Sequence, residues 1–87
     1  MSEQMQEHAD WVVQNCKYVH TYKGKRYVIQ VNSTTAVMKV GDEWHPAVLY
    51  RDLMNSGELF IRGVLEFRER FLRSQETVED YFRRIGS

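Results

Sequence analysis

Three histidines and one cysteine are the residues of this chain best suited to chemistry: His8, His20, His45 and Cys16. Zinc sites need ligands at short, regular spacing, and the sequence has no Cys-x-x-Cys, no His-x-x-x-His and no second cysteine. Cys16 and His20 stand four apart, the one pairing that suggests a thiol nucleophile and its base. A helix-to-strand break is expected between them, so Cys16 reads as a small buried hydrophobe. Adjacent carboxylates occur at Asp42-Glu43 and Glu79-Asp80. General acid–base work needs a cleft. A turn and a helix surface are where these pairs are expected, so both read as solvated. The glycines are scattered at turns and make no phosphate loop. The expectation is a non-enzymatic chain with no cofactor and no metal.

Binding chemistry is easier to find. From Lys17 to Tyr27 cations alternate with rings: Tyr18, Tyr22, Lys23, Lys25, Arg26 and Tyr27. Rings that stack on bases and cations that meet phosphates are how single-stranded nucleic acid is held. The plainer reading is a hairpin whose tyrosines pack inward and whose lysines keep the turn soluble. Trp44 and Tyr50 lie on a second aromatic stretch, Trp44-His45-Pro46-Ala47-Val48-Leu49-Tyr50. Arg51 and Arg62 each follow large apolar residues. They either bridge Asp52, Glu58 or Glu66 and hold a corner of the sheet, or line a shared site for a carboxylate or phosphate.

The whole chain limits these readings. Eighty-seven residues allow one domain, and so short a chain buries only about 60% of its unfolded surface. Apolar residues make up 43% and aromatics 13%, too rich for disorder. Net charge is zero but unevenly placed. Residues 17–40 carry Lys17, Lys23, Lys25, Arg26 and Lys39 with no acid, while residues 41–66 are net acidic. A neutral chain is a poor non-specific nucleic-acid binder, though a local basic patch remains. The single Cys16 suits a reducing compartment. The polar Ser-Glu-Gln-Met-Gln-Glu start is no signal peptide, and no apolar run approaches the roughly 20 residues of a membrane helix. A cytoplasmic protein with no membrane contact is expected.

The elements that position these residues follow from periodicity. Met5, Ala9, Val12, Val13 and Cys16 recur at helical spacing, predicting an amphipathic helix over residues 3–16 with Ser2 as N-cap and Glu3 and Glu7 in its first turns. Residues 17–22 and 25–31 alternate around Lys23-Gly24-Lys25, a hairpin. Asn32-Ser33 turns into a third strand over 34–40, and Gly41-Asp42-Glu43 turns that into the strand 44–50, on which the others are expected to assemble. Trp44, Pro46, Val48 and Tyr50 take one face there, and His45, Ala47, Leu49 and Arg51 the other. Pro46 lacks an N–H and is assigned to an edge or a bulge. Asn55-Ser56-Gly57 precedes a short last strand, 58–62. Val64, Phe67, Phe71, Val78, Phe82 and Ile85 then return to helical spacing. The prediction is one short helix over 64–72 and a second from 75 to 85 behind Ser74, or a single continuous helix. The fold class is α+β: a small, strongly bent antiparallel sheet or SH3-like β-barrel. An N-terminal helix (3–16), β core (17–62) and helical tail (64–85) make one domain, 1–87.

The residues from Lys17 to Phe71 resemble an uncharacterised family of small bacterial and phage domains. Its pattern runs Y-x-H-Y-K-G-x-x-Y-x-V, then P-x-V-V-Y-R-x-L, then W-V-R-P-x-x-M-F. The first block reads Tyr18-Val19-His20-Thr21-Tyr22-Lys23-Gly24-Lys25-Arg26-Tyr27-Val28, with one extra residue between the histidine and the tyrosine. The second reads Pro46-Ala47-Val48-Leu49-Tyr50-Arg51-Asp52-Leu53, and the third Phe60-Ile61-Arg62-Gly63 followed by Glu66-Phe67. Phe60 replaces the family's Trp and Gly63 its Pro. The resemblance implies a small SH3-like β fold and no known activity.

The leading expectation is a non-enzymatic interaction module that binds a protein partner through its aromatic strand surface or terminal helices. Nucleic-acid binding through Lys17–Tyr27 is the alternative. A phage-encoded inhibitor of a host protein is a third, resting on small size and on terminal helices that lie outside the resemblance. The tail stripe of Val78, Tyr81, Phe82 and Ile85 either packs within the chain or joins two copies as a homodimer.

Overall fold

The computed structural model describes residues 2–30, 36–55 and 57–86, with side chains from Gln6 onward. The expectations for the Ser2, Glu3 and Met5 side chains, for Val31, for the Asn32-Ser33 turn with residues 34–35, and for Ser56 lie outside the described residues.

Helix α1 (Ser2–Asn15) forms where the sequence places it. Its buried face is His8, Ala9, Val12 and Asn15, with Cys16 half-buried just beyond. Val13, expected on that stripe, points outward and is half exposed. The helix turned to bury two polar side chains. Asn15 is one of them, and three bonds secure it: Nδ2 donates to the Trp11 carbonyl, Oδ1 accepts from Arg73, and the backbone carbonyl takes His20.

Strands β1 (Tyr18–Tyr22) and β2 (Lys25–Ile29) make the first hairpin, with Tyr22 paired to Lys25. Its two-residue turn needs positive φ at both positions, and Lys23 and Gly24 take 52° and 78°. Strands β3 (Val37–Val40) and β4 (Glu43–Asp52) make a second hairpin around Gly41, φ 62°. β5 (Phe60–Gly63) is the short strand expected near 58–62, though it is not the last.

β4 is the organising strand. It pairs with β3 through Glu43–Pro46, with β5 (60–63) through residues 47–50, and with β2 through residues 50–52. Ala47 N–H donates to Ala36 and the Leu49 carbonyl accepts from Gln30. Odd-numbered residues of β4 therefore face β2 and β3, and even-numbered ones face β5. Pro46 sits inside this long strand but at a local edge, since residues 43–46 pair with β3 alone. Its missing N–H falls on the β5 side, one residue past the last pair, Ala47 with Gly63. No ladder bond is lost.

The tail departs from expectation. α2 (Val64–Arg70) is short, and Phe71 leaves it in an extended conformation. Residues expected to be helical then form β6 (Leu72–Thr77), antiparallel to β1. α3 (Val78–Ile85) starts three residues later than predicted. Its N-cap is Thr77, whose Oγ1 accepts the Asp80 N–H at 3.1 Å, and Ser74 plays a different part. Ser74 Oγ takes the Glu76 N–H inside β6, where the register with β1 shifts between Tyr18–Thr77 and His20–Arg73. Such an irregularity blunts an exposed strand edge.

The six strands make one open antiparallel sheet, ordered β3-β4-β2-β1-β6 with β5 on β4. It does not close into a barrel. Consecutive residues of β2 assign its faces. Ile29 joins Val12, Val48, Tyr50, Val64, Phe67 and Phe71 beneath α1 and α2. Val28 joins Val19, Leu53 and Tyr81 beneath α3. Phe67, 0% exposed, is the centre of the first cluster and stacks on Phe71 at 4.1 Å. Among the described residues no helix is long and apolar enough to cross a membrane.

Candidate functional site

A recess in the surface lies where the β3–β4 hairpin meets α1 and the start of α2. It is an open cleft of about 670 Å³, within the range of small-ligand and side-chain sites. Its walls are Met38 and Val40 from β3, Trp44 and Pro46 from β4, and Val64 and Leu65 from α2. Trp44 is 57% exposed, and Val40 and Leu65 are more than half exposed beside it. A ring of that size left in water is the kind of patch that marks an interaction surface. Lys39 Nζ lies 5.9 Å from the Trp44 ring centre.

The polar lining is uneven. Glu66 is already committed, its Oε1 meeting Arg62 at 2.8 Å and Arg70 at 3.1 Å. Among the described residues Glu43 reaches only His45, at 3.4 Å, and both are largely exposed. Asp42, in the turn, makes no ion pair among the described residues. The cleft's uncommitted charge is therefore negative. At its base His8 is 5% exposed. Its Nδ1 is sealed from solvent and has no hydrogen-bond partner among the described residues. A buried, unpaired nitrogen costs about 1–3 kcal/mol, so its place in the wall of a cleft is informative.

The basic–aromatic hairpin is built differently. Tyr22 stacks on Phe71 at 4.7 Å, and Tyr27 meets Tyr50, Phe60 and Phe71 edge-on. Burial raises the Tyr27 hydroxyl pKa, helped by the charge of Asp52. Tyr50 is core. Tyr18 carries Lys17 and Arg73 over its ring, 5.3 and 4.6 Å from its centre. Arg26 lies over Tyr81. The rings expected to stack on bases are thus largely occupied, while Lys23 and Lys25 stay exposed at the tip.

Arg51 and Arg62 do not converge. Arg62 pairs in register with Val48, on the α1–α2 face of the sheet. Arg51, an odd-numbered residue of β4, lies on the opposite face and donates to Gln30 Oε1 at 2.7 Å. Arg62 donates to the Tyr50 hydroxyl and to Glu66 and covers the Tyr22 and Phe71 rings. The Tyr50 bond, ahead of the Glu66 charge, raises its pKa. It is a clamp on the sheet corner.

Cys16 Sγ and His20 do not meet as nucleophile and base: Sγ donates to the Val13 carbonyl and His20 Nε2 lies 3.0 Å from the Asn15 carbonyl. Of the tail stripe, Val78 and Tyr81 pack inward, the Tyr81 hydroxyl donating to Met54 Sδ, while Phe82 and Ile85 remain exposed.

Sequence reasoning singled out Trp44 and named His8 only as a histidine without metal-ligand spacing; that His8, Val40 and Leu65 share a cleft with Trp44 it missed. They come from three distant segments and share no spacing. The one available signal was a histidine flanking the apolar stripe of the first helix. No protein-family model, no curated protein and no solved structure matches the chain.

Proposed function

We propose that this chain is a non-enzymatic interaction module that binds a protein partner through the β3–β4 hairpin and the cleft beneath it. The observation that carries this reading is Trp44, a large ring held in solvent at the mouth of an apolar recess. Aromatic anchors beside pockets dominate the energetics of protein interfaces. The terminal helices are the weaker half of the expectation. α1 spends its apolar face on the core, and α3 keeps only Phe82 and Ile85 outside. We read the bent sheet as SH3-like in the loose sense that the three blocks of the resemblance fall on β1–β2, on β4 and on β5–α2.

The test is a partner recovered by affinity capture, identified, purified and bound again in isolation. Trp44→Ala together with Leu65→Ser is expected to abolish that binding, and Lys23→Ala with Lys25→Ala to leave it intact. The reverse pattern would move the site to the first hairpin. Turnover of a substrate that a His8, His20, His45 or Cys16 variant abolishes would overturn the non-enzymatic reading.

Nucleic-acid binding is the second reading. Lys23 and Lys25 at the tip favour it, and the inward packing of Tyr22 and Tyr27 weighs against the stacking it needs.

A further inference from the structure

We infer that the cleft takes an extended, apolar peptide segment that carries a lysine or arginine. The inference rests on the proposed function and specifies the partner's chemistry at the same site. Three independent features lead to it.

The first is His8. It is almost wholly buried, and neither ring nitrogen has a protein partner among the described residues. Nδ1 is sealed, so Nε2 is the nitrogen left for a group entering the cleft. A neutral imidazole offers a donor there in one tautomer and an acceptor in the other. A peptide main chain supplies both a carbonyl and an N–H at every residue, so it can satisfy either form.

The second is charge. Asp42 and Glu43 line the cleft with no lysine or arginine paired to them among the described residues, while Lys39 stands over the Trp44 ring, 5.9 Å from its centre. Unpaired carboxylates in an apolar lining attract a cation and repel phosphate or carboxylate. Among the described residues no cluster of three His, Cys, Asp or Glu side chains is arranged to hold a metal, so a cationic side chain fits these acids better than an ion does.

The third is extent. Val40, Trp44 and Leu65 line the cleft and are each more than half exposed, and Val37, paired with Pro46, lies on the Trp44 face of the hairpin. A small amine would leave most of this apolar surface wet. A chain of several residues, with alternate side chains turned into the cleft and along its lip, covers it.

The experiment uses the full chain with Trp11→Phe, so that Trp44 is the sole tryptophan reporter. The probe is the peptide acetyl-Leu-Phe-Arg-Leu-amide, compared with its citrulline analogue, which keeps the shape and loses the charge, and with phenethylamine. The arginine peptide is expected to change Trp44 fluorescence saturably. The citrulline analogue, and the Asp42→Asn, Glu43→Gln double variant, are each expected to bind roughly threefold to fivefold more weakly, the scale of exposed charge pairs. The His8 ring nitrogen resonances of the otherwise unaltered chain are expected to shift on titration, a readout that needs no His8 variant to fold. Equal binding of both peptides, an unmoved His8 signal, or phenethylamine binding as tightly as the peptide would each overturn the inference. A natural partner that ignores the Asp42, Glu43 double variant but is lost on Trp44→Ala sinks this inference and leaves the proposed function standing. One that ignores Trp44→Ala sinks the proposed function.

Discussion

The two hairpins of this molecule share a turn and differ in where their rings go. Each closes through two residues with glycine at positive φ, Lys23-Gly24 in one and Gly41-Asp42 in the other. The first is basic and turns Tyr22 and Tyr27 onto Phe71 and Tyr50. The second is acidic at its tip and leaves Trp44 in solvent. The difference arises from what lies underneath. α2 ends at Arg70 and delivers Phe71 to the first hairpin, whereas only the beginning of α2 reaches the second. Strand alternation tells which residues share a face. It does not tell whether another element covers that face, and here coverage separates a ring packed in the core from a ring left in solvent.

The largest effect should come from removing the cover itself. Phe71→Ala leaves a void against Tyr22, Tyr27, Tyr50 and Phe67, and is expected to cost about 3–5 kcal/mol in a denaturant titration. A loss under about 1 kcal/mol would mean that the first hairpin's rings are no more anchored than Trp44, and the contrast would fail.

Next in size is a pH effect confined to the covered hairpin. Burial holds the His20 pKa below the ordinary histidine range; the Asn15 carbonyl opposes this and the nearby Arg73 charge adds to it. The folded state therefore binds fewer protons than the unfolded one. Stability should be flat above about pH 7 and fall as pH drops through the unfolded histidine value of about 6.5, by no more than about 1.4 kcal/mol per pH unit. The fall should level off once His20 itself protonates in the folded state. Thermal or urea unfolding across pH 5 to 8, with His20→Gln as the comparison, checks this: the variant should lose that share of the slope.

Trp44→Ala should cost far less than Phe71→Ala, about 1 kcal/mol, because more than half of the ring is already in water. If partner binding is lost over the same substitution while unfolding shifts this little, the ring serves recognition. A loss comparable with that of Phe71→Ala would make Trp44 a core residue.

Much of the fold was legible in the sequence because the signals were local. Gly24 and Gly41 marked their turns, alternation marked β1, β2 and β4, and helical spacing marked α1. β6 was not legible. Leu72-Arg73-Ser74-Gln75-Glu76-Thr77 has no apolar alternation, since it is an edge strand held by backbone bonds to β1, and those depend on pairing with residues more than fifty positions away. The Thr77-x-x-Asp80 spacing was a visible helix start, but Ser74 lay in the same gap and drew the assignment. The cleft was less legible still. Trp44 was noticed as a large residue, yet its exposure, and the company of His8 and Leu65, follow from how the second hairpin meets two helices.

The smallest effect on stability is expected at the tip of the first hairpin. Lys23 and Lys25 are exposed and join no ion pair among the described residues. Replacing either with alanine should change stability by no more than about 0.5 kcal/mol. Their worth is therefore measurable in binding without confusion from folding. Removing Lys23, Lys25 and Arg26 together also takes away the cation over Tyr81, so that variant's unfolding must be measured alongside. If the unaltered chain binds short single strands at low salt and the triple variant does not, the first hairpin is itself a binding surface, and the contrast between a packed and an open hairpin does not divide structure from recognition. If the unaltered chain shows no binding even at low salt, the cations serve solubility alone. Electrostatic capture of phosphates is strongest under that condition, so nothing milder would restore the nucleic-acid reading.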